Sequence, residues 1–275
     1  MKTAQISTGE LAYIDRGTGQ PILLVHGFPL DYTMWDAQIE SLSKRARVIA
    51  PDLRGFGQSP LGPVDPTHGI TMERYADDLA EFLDELNLGT DQPIVFVGLS
   101  MGGYIAWQFV RKYATRLRAL VLLDTRSLAD TDEARAGRIK MAENLAEWGS
   151  GRVAEMLGPK LVAPSAFEKK PSVVTALRGV VESTSPAAIA AAQRGLAARP
   201  DMTSFLPQIK VPTLVIVGDQ DAISPPAEMQ AIAAAIPNAE FVVIPNSGHM
   251  TTMENPEAVN AALSKFVEGL GVTQE

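Results

Sequence analysis

The chain has 275 residues, no cysteine, and 24 basic against 32 acidic side chains, for a formal charge of −8. Without cysteine there is no disulfide scaffold, no Cys-ligated metal site and no thiol nucleophile, and net acidity with no Lys/Arg cluster argues against a nucleic-acid surface. A hydrophobic fraction of 46 % excludes wholesale disorder, and no run reaches the ~18 apolar residues of a membrane span.

The opening residues, MKTAQISTGELAYIDRG, hold no apolar signal-peptide core, so a cytoplasmic location is expected. Thr3–Ser7 and Leu11–Asp15 read as a hairpin at a sheet edge, turning through Thr8-Gly9-Glu10. Short apolar runs follow at Ile22–Val25, Val48–Ala50, Ile94–Val97, Leu120–Leu123, Leu214–Val217 and Phe241–Ile244. They are continuous rather than alternating, as in strands buried on both faces of a parallel sheet. Helical patterns lie between them. Met72, Tyr75, Ala76, Leu79, Phe82, Leu83 and Leu86 form one stripe, with Thr71 as N-cap and Gly89 as stop. Ile105, Ala106, Phe109 and Val110 form a second, and Pro256 to Leu270 reads as a helix opening on proline. Strand–helix alternation of this kind predicts an open α/β sheet.

From about Thr125 to Pro207 the buried-strand runs stop. Only helical patterns remain, at Glu133–Trp148, Arg152–Leu157, Val173–Val181 and Pro186–Ala198, the last with Ser185 as N-cap. Gly149-Ser150-Gly151, Gly158-Pro159 and Pro164 punctuate them. The expectation is a helical insertion, residues 125–207, between two strands of a core built from residues 1–124 and 208–275.

Gly98-Leu99-Ser100-Met101-Gly102 joins a strand pattern to a helix pattern. A serine at the top of a sharp strand-to-helix turn points its hydroxyl out of the sheet. Residues two before and two after it then crowd together, so only small ones fit, and Gly98 and Gly102 meet that demand. Ser100 is therefore the candidate nucleophile.

A serine nucleophile needs a base, and the chain has three histidines. His68 sits in a polar loop and reads as solvated. His26 ends the strand Ile22–Val25 and reads as structural, bonded beneath its turn. His249 follows Phe241–Ile244 on a loop at the C-terminal edge of the sheet, where groups in open α/β sheets gather. His249 is the expected base. The acid that orients it should end a strand between the two. Asp221 is preferred, because it lies beyond Leu214–Val217 with room to reach. Asp219 reads as a loop cap, and Asp124, after Leu120–Leu123, is the alternative. The amides of Met101 and Phe28 are the expected oxyanion donors: Met101 follows the nucleophile, Pro29 has no N–H, and Gly27 permits an unusual turn.

These residues resemble the α/β-hydrolase superfamily. The resemblance covers nearly the whole chain and rests on His26-Gly27-Phe28-Pro29, Asp52 to Ser59, Gly98 to Gly103, Gly218-Asp219-Gln220-Asp221 and Ser247-Gly248-His249. It implies an α/β-hydrolase fold with an eight-stranded, mostly parallel sheet and a helical cap between strands six and seven. It implies Ser100, Asp221 and His249 as catalytic triad and the Phe28 and Met101 amides as oxyanion hole. The sequence is similar to small bacterial esterases and 3-oxoadipate enol-lactonase-like hydrolases. Serine rather than aspartate at position 100 disfavours haloalkane dehalogenase and epoxide hydrolase chemistry. Cofactor-free perhydrolysis, C–C bond hydrolysis and a non-catalytic small-molecule receptor stay open as alternatives.

The expected activity is hydrolysis of a small-molecule carboxylic ester or lactone through an acyl-enzyme, without metal or cofactor and without a nucleic-acid or membrane partner. Trp35, Leu128, Met141, Leu145, Trp148 and Met156 are candidates for an apolar substrate pocket. Arg126 is the one cation expected near its entrance, and it reads as solvated.

Overall fold

Short Val/Ile/Leu runs alternating with amphipathic helices pack with strands side by side and helices on both faces. The computed structural model describes residues 1–271. Its eight-stranded sheet has the spatial order β1 (Lys2–Ile6), β2 (Gly9–Arg16), β4 (Arg47–Pro51), β3 (Pro21–Val25), β5 (Ile94–Leu99), β6 (Leu117–Leu123), β7 (Thr213–Gly218), β8 (Ala239–Ile244). β2 pairs antiparallel with both β1 and β4, and the remaining pairs are parallel. Ile6 faces Gly9, so the hairpin turns through Ser7 and Thr8 rather than Thr8-Gly9-Glu10. Gly9 already belongs to β2.

The helices in chain order are α1 (Asp36–Leu42), α2 (Met72–Glu85), α3 (Met101–Tyr113), α4 (Asp132–Leu161), α5 (Ala166–Lys169), α6 (Pro171–Ser183), α7 (Pro186–Ala197), α8 (Pro226–Ala235), α9 (Thr251–Glu254) and α10 (Pro256–Gly269). Strand residues alternate between faces and so feed two cores. Leu23, Val25 and Phe96 pack with α2, α3 and α8 on one side. Ile22, Leu24 and Val97 pack with α1 and α10 on the other. β3, β5 and β7 are buried throughout. β8 is not, and Val243 is exposed, because the last strand has a neighbour on one side only. The continuous run Phe241–Ile244 conceals that edge position.

Thr71 caps α2 by accepting the Arg74 N–H at 3.1 Å. The helix ends before Gly89: Asn87 takes φ 57°, and the Leu88 N–H returns to Leu83 O. Between β6 and β7 the described chain is helical. α4 breaks at Gly149 (φ 68°, ψ 172°), which divides the two helical patterns read there. Ser185 precedes α7 without a side-chain capping bond. Among the described residues no helix is long and apolar enough to cross a membrane.

Candidate active site

β5 ends at Leu99, and α3 begins at Met101. Ser100 makes the whole turn between them, at φ 53°, ψ −111°. A non-glycine residue there stores roughly 1–3 kcal/mol of backbone strain. The surroundings impose it. The Ser100 N–H donates to Leu123 O at 2.9 Å, and its carbonyl accepts Gly103 N–H, Tyr104 N–H and the Thr125 hydroxyl. Neither flanking glycine has room for a side chain: a Cβ on Gly98 would lie 2.4 Å from Gly102 O, and one on Gly102 would lie 2.2 Å from Val25 O at the end of β3. The tight turn aims the serine hydroxyl away from the sheet.

The hydroxyl meets an imidazole. His249 Nε2 is 2.8 Å from Ser100 Oγ, and His249 Nδ1 is 2.8 Å from Asp221 Oδ2. Asp221 is held in turn. Its Oδ1 accepts Ile223 N–H at 2.8 Å and Ser224 N–H at 3.0 Å. Both the aspartate and the histidine are buried. A carboxylate on Nδ1 leaves Nε2 free to accept the serine proton, the tautomer a base needs.

The other two acids have different partners. Asp219 Oδ1 accepts Ser247 N–H at 3.1 Å and so caps its loop. Asp124, at φ 47°, meets Gly218 N–H at 2.9 Å and the Thr251 hydroxyl at 2.5 Å. Burial, with the Asp221 charge added, pushes its carboxyl well above the usual carboxylate range. Asp124 thus ties the end of β7 to the chain after His249, and Asp221 alone of the three reaches the imidazole.

The loop after β3 crosses directly over the serine. A Cβ on Gly27 would stand 3.4 Å from Ser100 Cβ. Among the described residues no protein acceptor engages the amides of Phe28 or Met101. His26 underpins the loop. Its Nδ1 bonds Gly27 O and its Nε2 accepts Leu53 N–H, both at 2.9 Å. Burial lowers it from 6.5 to about 4, which keeps it neutral. Asp52, below the same loop, accepts Tyr32 N–H and Gln58 N–H, and burial raises it to about 6. His68 lies on the surface with Asp65.

A family profile described as the alpha/beta hydrolase fold matches residues 20–256. The chain belongs to this family. A solved thermophilic esterase from Thermogutta terrifontis is 47 % identical, covers 99 % of this chain and 100 % of its own, and superposes with a TM-score of 0.93. The enol-lactonase from Burkholderia xenovorans LB400 is 27 % identical over 97 % of this chain and 100 % of its own, with a TM-score of 0.87. A putative non-heme chloroperoxidase from Synechocystis is 32 % identical over 95 % of this chain and 96 % of its own length.

Within this alpha/beta hydrolase the six apolar pocket candidates do not share one lining. Trp35 and Leu145 are fully buried in the core. Met141 packs on that core, where Gln193 Nε2 lies 3.1 Å from its sulfur, and Trp148 is half-buried. Leu128 and Met156 turn outward, 40 % and 39 % exposed. The break at Gly149 resets the helical phase, so a residue's apolarity does not tell which face of α4 it occupies. A largely apolar cavity of about 300 Å³ lies elsewhere against the helical insertion, and neither Ser100, Asp221 and His249 nor Phe28 and Met101 line it. It is lined by Leu30, Met34, Val173, Leu177, Val180 and Met253, between α6 and the segments that follow Phe28 and His249. Arg126 is not simply solvated: its Nε bonds Glu228 Oε1 at 2.8 Å.

No sequence motif singles out Glu254. Its carboxylate is buried beneath the His249 loop. The available signal was one acid inside the otherwise uncharged stretch Met250 to Asn255.

Proposed function

We propose that the protein is a serine hydrolase that cleaves a small carboxylic ester or lactone through an acyl-enzyme. One observation carries this reading: Ser100 Oγ, His249 and Asp221 form an unbroken hydrogen-bonded chain, 2.8 Å at each link. His249 Nε2 takes the Ser100 proton as Oγ attacks the carbonyl carbon. Negative charge gathers on the former carbonyl oxygen, and the Phe28 and Met101 amides receive it. Asp221 steadies the imidazolium. His249 then gives the proton to the departing alcohol oxygen. Water repeats the sequence, and the acid leaves. For a lactone, alcohol and acid remain one molecule.

The helical insertion from α4 to α7 acts as a cap over this site. Arg126 is engaged by Glu228, which favours an uncharged substrate. The esterase and enol-lactonase relatives agree with this chemistry. Similarity to a putative chloroperoxidase supports a second reaction at the same serine, with hydrogen peroxide in place of water and a peracid as product.

The test is turnover of p-nitrophenyl acetate and butyrate, with and without peroxide. Ser100→Ala is expected to abolish it while leaving Tm nearly unchanged. Retained hydrolysis in that variant would contradict the proposal.

A further inference from the structure

Glu254 ends α9, the short helix after His249, and is 3 % exposed. Each of its carboxylate oxygens takes one backbone amide. Oε1 accepts Gly248 N–H at 2.8 Å, and Oε2 accepts Ala163 N–H at 2.8 Å. Gly248 immediately precedes His249. Ala163 lies just past α4, in the helical insertion. The two backbones also touch directly: a Cβ on Gly248 would fall 2.4 Å from Ala163 N and 2.5 Å from Val162 C. The Glu254 carbonyl accepts Lys170 Nζ, just before α6. Val162, Ala163 and Lys170 of the insertion therefore converge on the segment that carries His249.

Burying a carboxylate is expensive unless its oxygens are bonded. Burial pushes this one up, and its two amides counter that. One rigid group held by amides from two separate segments fixes those segments relative to each other.

We propose that Glu254 is a positioning residue through which the seating of the helical insertion sets the placement of His249 against Ser100. This rests on the serine-hydrolase reading. A displacement of the imidazole by a fraction of an ångström slows proton transfer without changing how substrate is held.

The test uses Glu254→Gln and Ala163→Pro in the full chain. Glutamine keeps one acceptor and turns an NH2 toward the other amide. Ala163→Pro removes the donor on the insertion side, and its ring Cδ, standing where the hydrogen was, pushes the unchanged Glu254 side chain off that contact. Val162 already has φ −124°, ψ 158°, the region a residue before proline requires. The readouts are kcat and KM for p-nitrophenyl butyrate, and the rate at which a fluorophosphonate labels Ser100. The labelling end point counts folded sites. Each variant is expected to lower kcat and the labelling rate by about ten- to a hundredfold, with KM within about twofold. The double variant is expected to be no slower than the slower single, because both cut the same link. Labelling at the wild-type rate in either variant overturns the proposal, as do rates that fall only with the folded fraction. Ser100→Ala run alongside separates the two claims. If it turns over substrate, the hydrolase reading falls and Glu254's role with it. If it is inert while both other variants keep wild-type rates, only the positioning role falls.

Discussion

Asp221 Oδ2 sits 2.8 Å from His249 Nδ1, on the side of the imidazole away from Ser100. Asp124, at the end of the neighbouring strand, bonds Thr251 instead. Asp221→Asn is therefore expected to lower turnover by about four decades, because an amide NH2 at that site favours the wrong tautomer. Asp124→Asn keeps an acceptor for Gly218 N–H and should stay within about tenfold of wild type. Steady-state kinetics on the two variants decide, and the reverse ranking would reassign the acid.

Buried His26 and Asp52 give the protein two opposing pH dependences. The His26 value of about 4 lies below its usual 6.5, so the unfolded chain binds that proton more readily. That contribution is complete above about pH 6.5 and is lost as pH falls toward 4. The Asp52 value of about 6 lies above its usual 3.8, so the folded chain binds that proton more readily. Its contribution is complete below about pH 3.8 and is lost as pH rises through 6. Asp52→Asn removes the second and leaves the first. The stability of wild type relative to this variant should rise by about 2 kcal/mol from pH 7 to pH 4. Urea unfolding at both pH values measures it. A constant gap would mean that Asp52 titrates alike in the folded and unfolded chain.

The turn around Ser100 depends on bare backbone. A Cβ on Gly102 would stand 2.2 Å from Val25 O, and no flexible side chain can give way. Gly102→Ala should cost more than about 3 kcal/mol or prevent folding. A well-folded variant with normal denaturation would show that the elbow is looser than this.

Thr184 links the helical insertion to the loop over the serine. Its one hydroxyl proton is shared between Val180 O at 2.9 Å and Pro29 O at 3.2 Å, the latter next to Phe28. Thr184→Val leaves that carbonyl without this donor and should cost about 1 kcal/mol of stability. A lower kcat is expected with it, because the Phe28 amide loses part of its support. Unchanged stability and kcat together would remove Thr184 from this role.

Much of this arrangement is legible in the chain. Val/Ile/Leu runs reveal the central strands because burial on both faces leaves no polar position. Gly98 and Gly102 reveal the elbow because nothing larger fits. His249 follows from where its strand ends, whereas Asp124, Asp219 and Asp221 all lie at strand ends and only their hydrogen-bond partners separate them. Other features depend on contacts distant in sequence. Phe241–Ile244 resembles a central strand, and only the finished sheet order places β8 at an edge. α8 leaves no such mark, since its Ala-Ile-Ala-Ala-Ala run shows no clear stripe. Trp35 and Met156 look alike as apolar residues, yet one is enclosed and the other faces outward. Asp124 and Glu254 act through backbone amides, and an amide partner leaves no mark in sequence.

The most direct measurement of the central claim is to locate a covalent fluorophosphonate adduct by mass spectrometry of the digested protein. One adduct per chain, on Ser100 and absent from Ser100→Ala, is the expected result. An adduct on another residue, or undiminished labelling of Ser100→Ala, would contradict it.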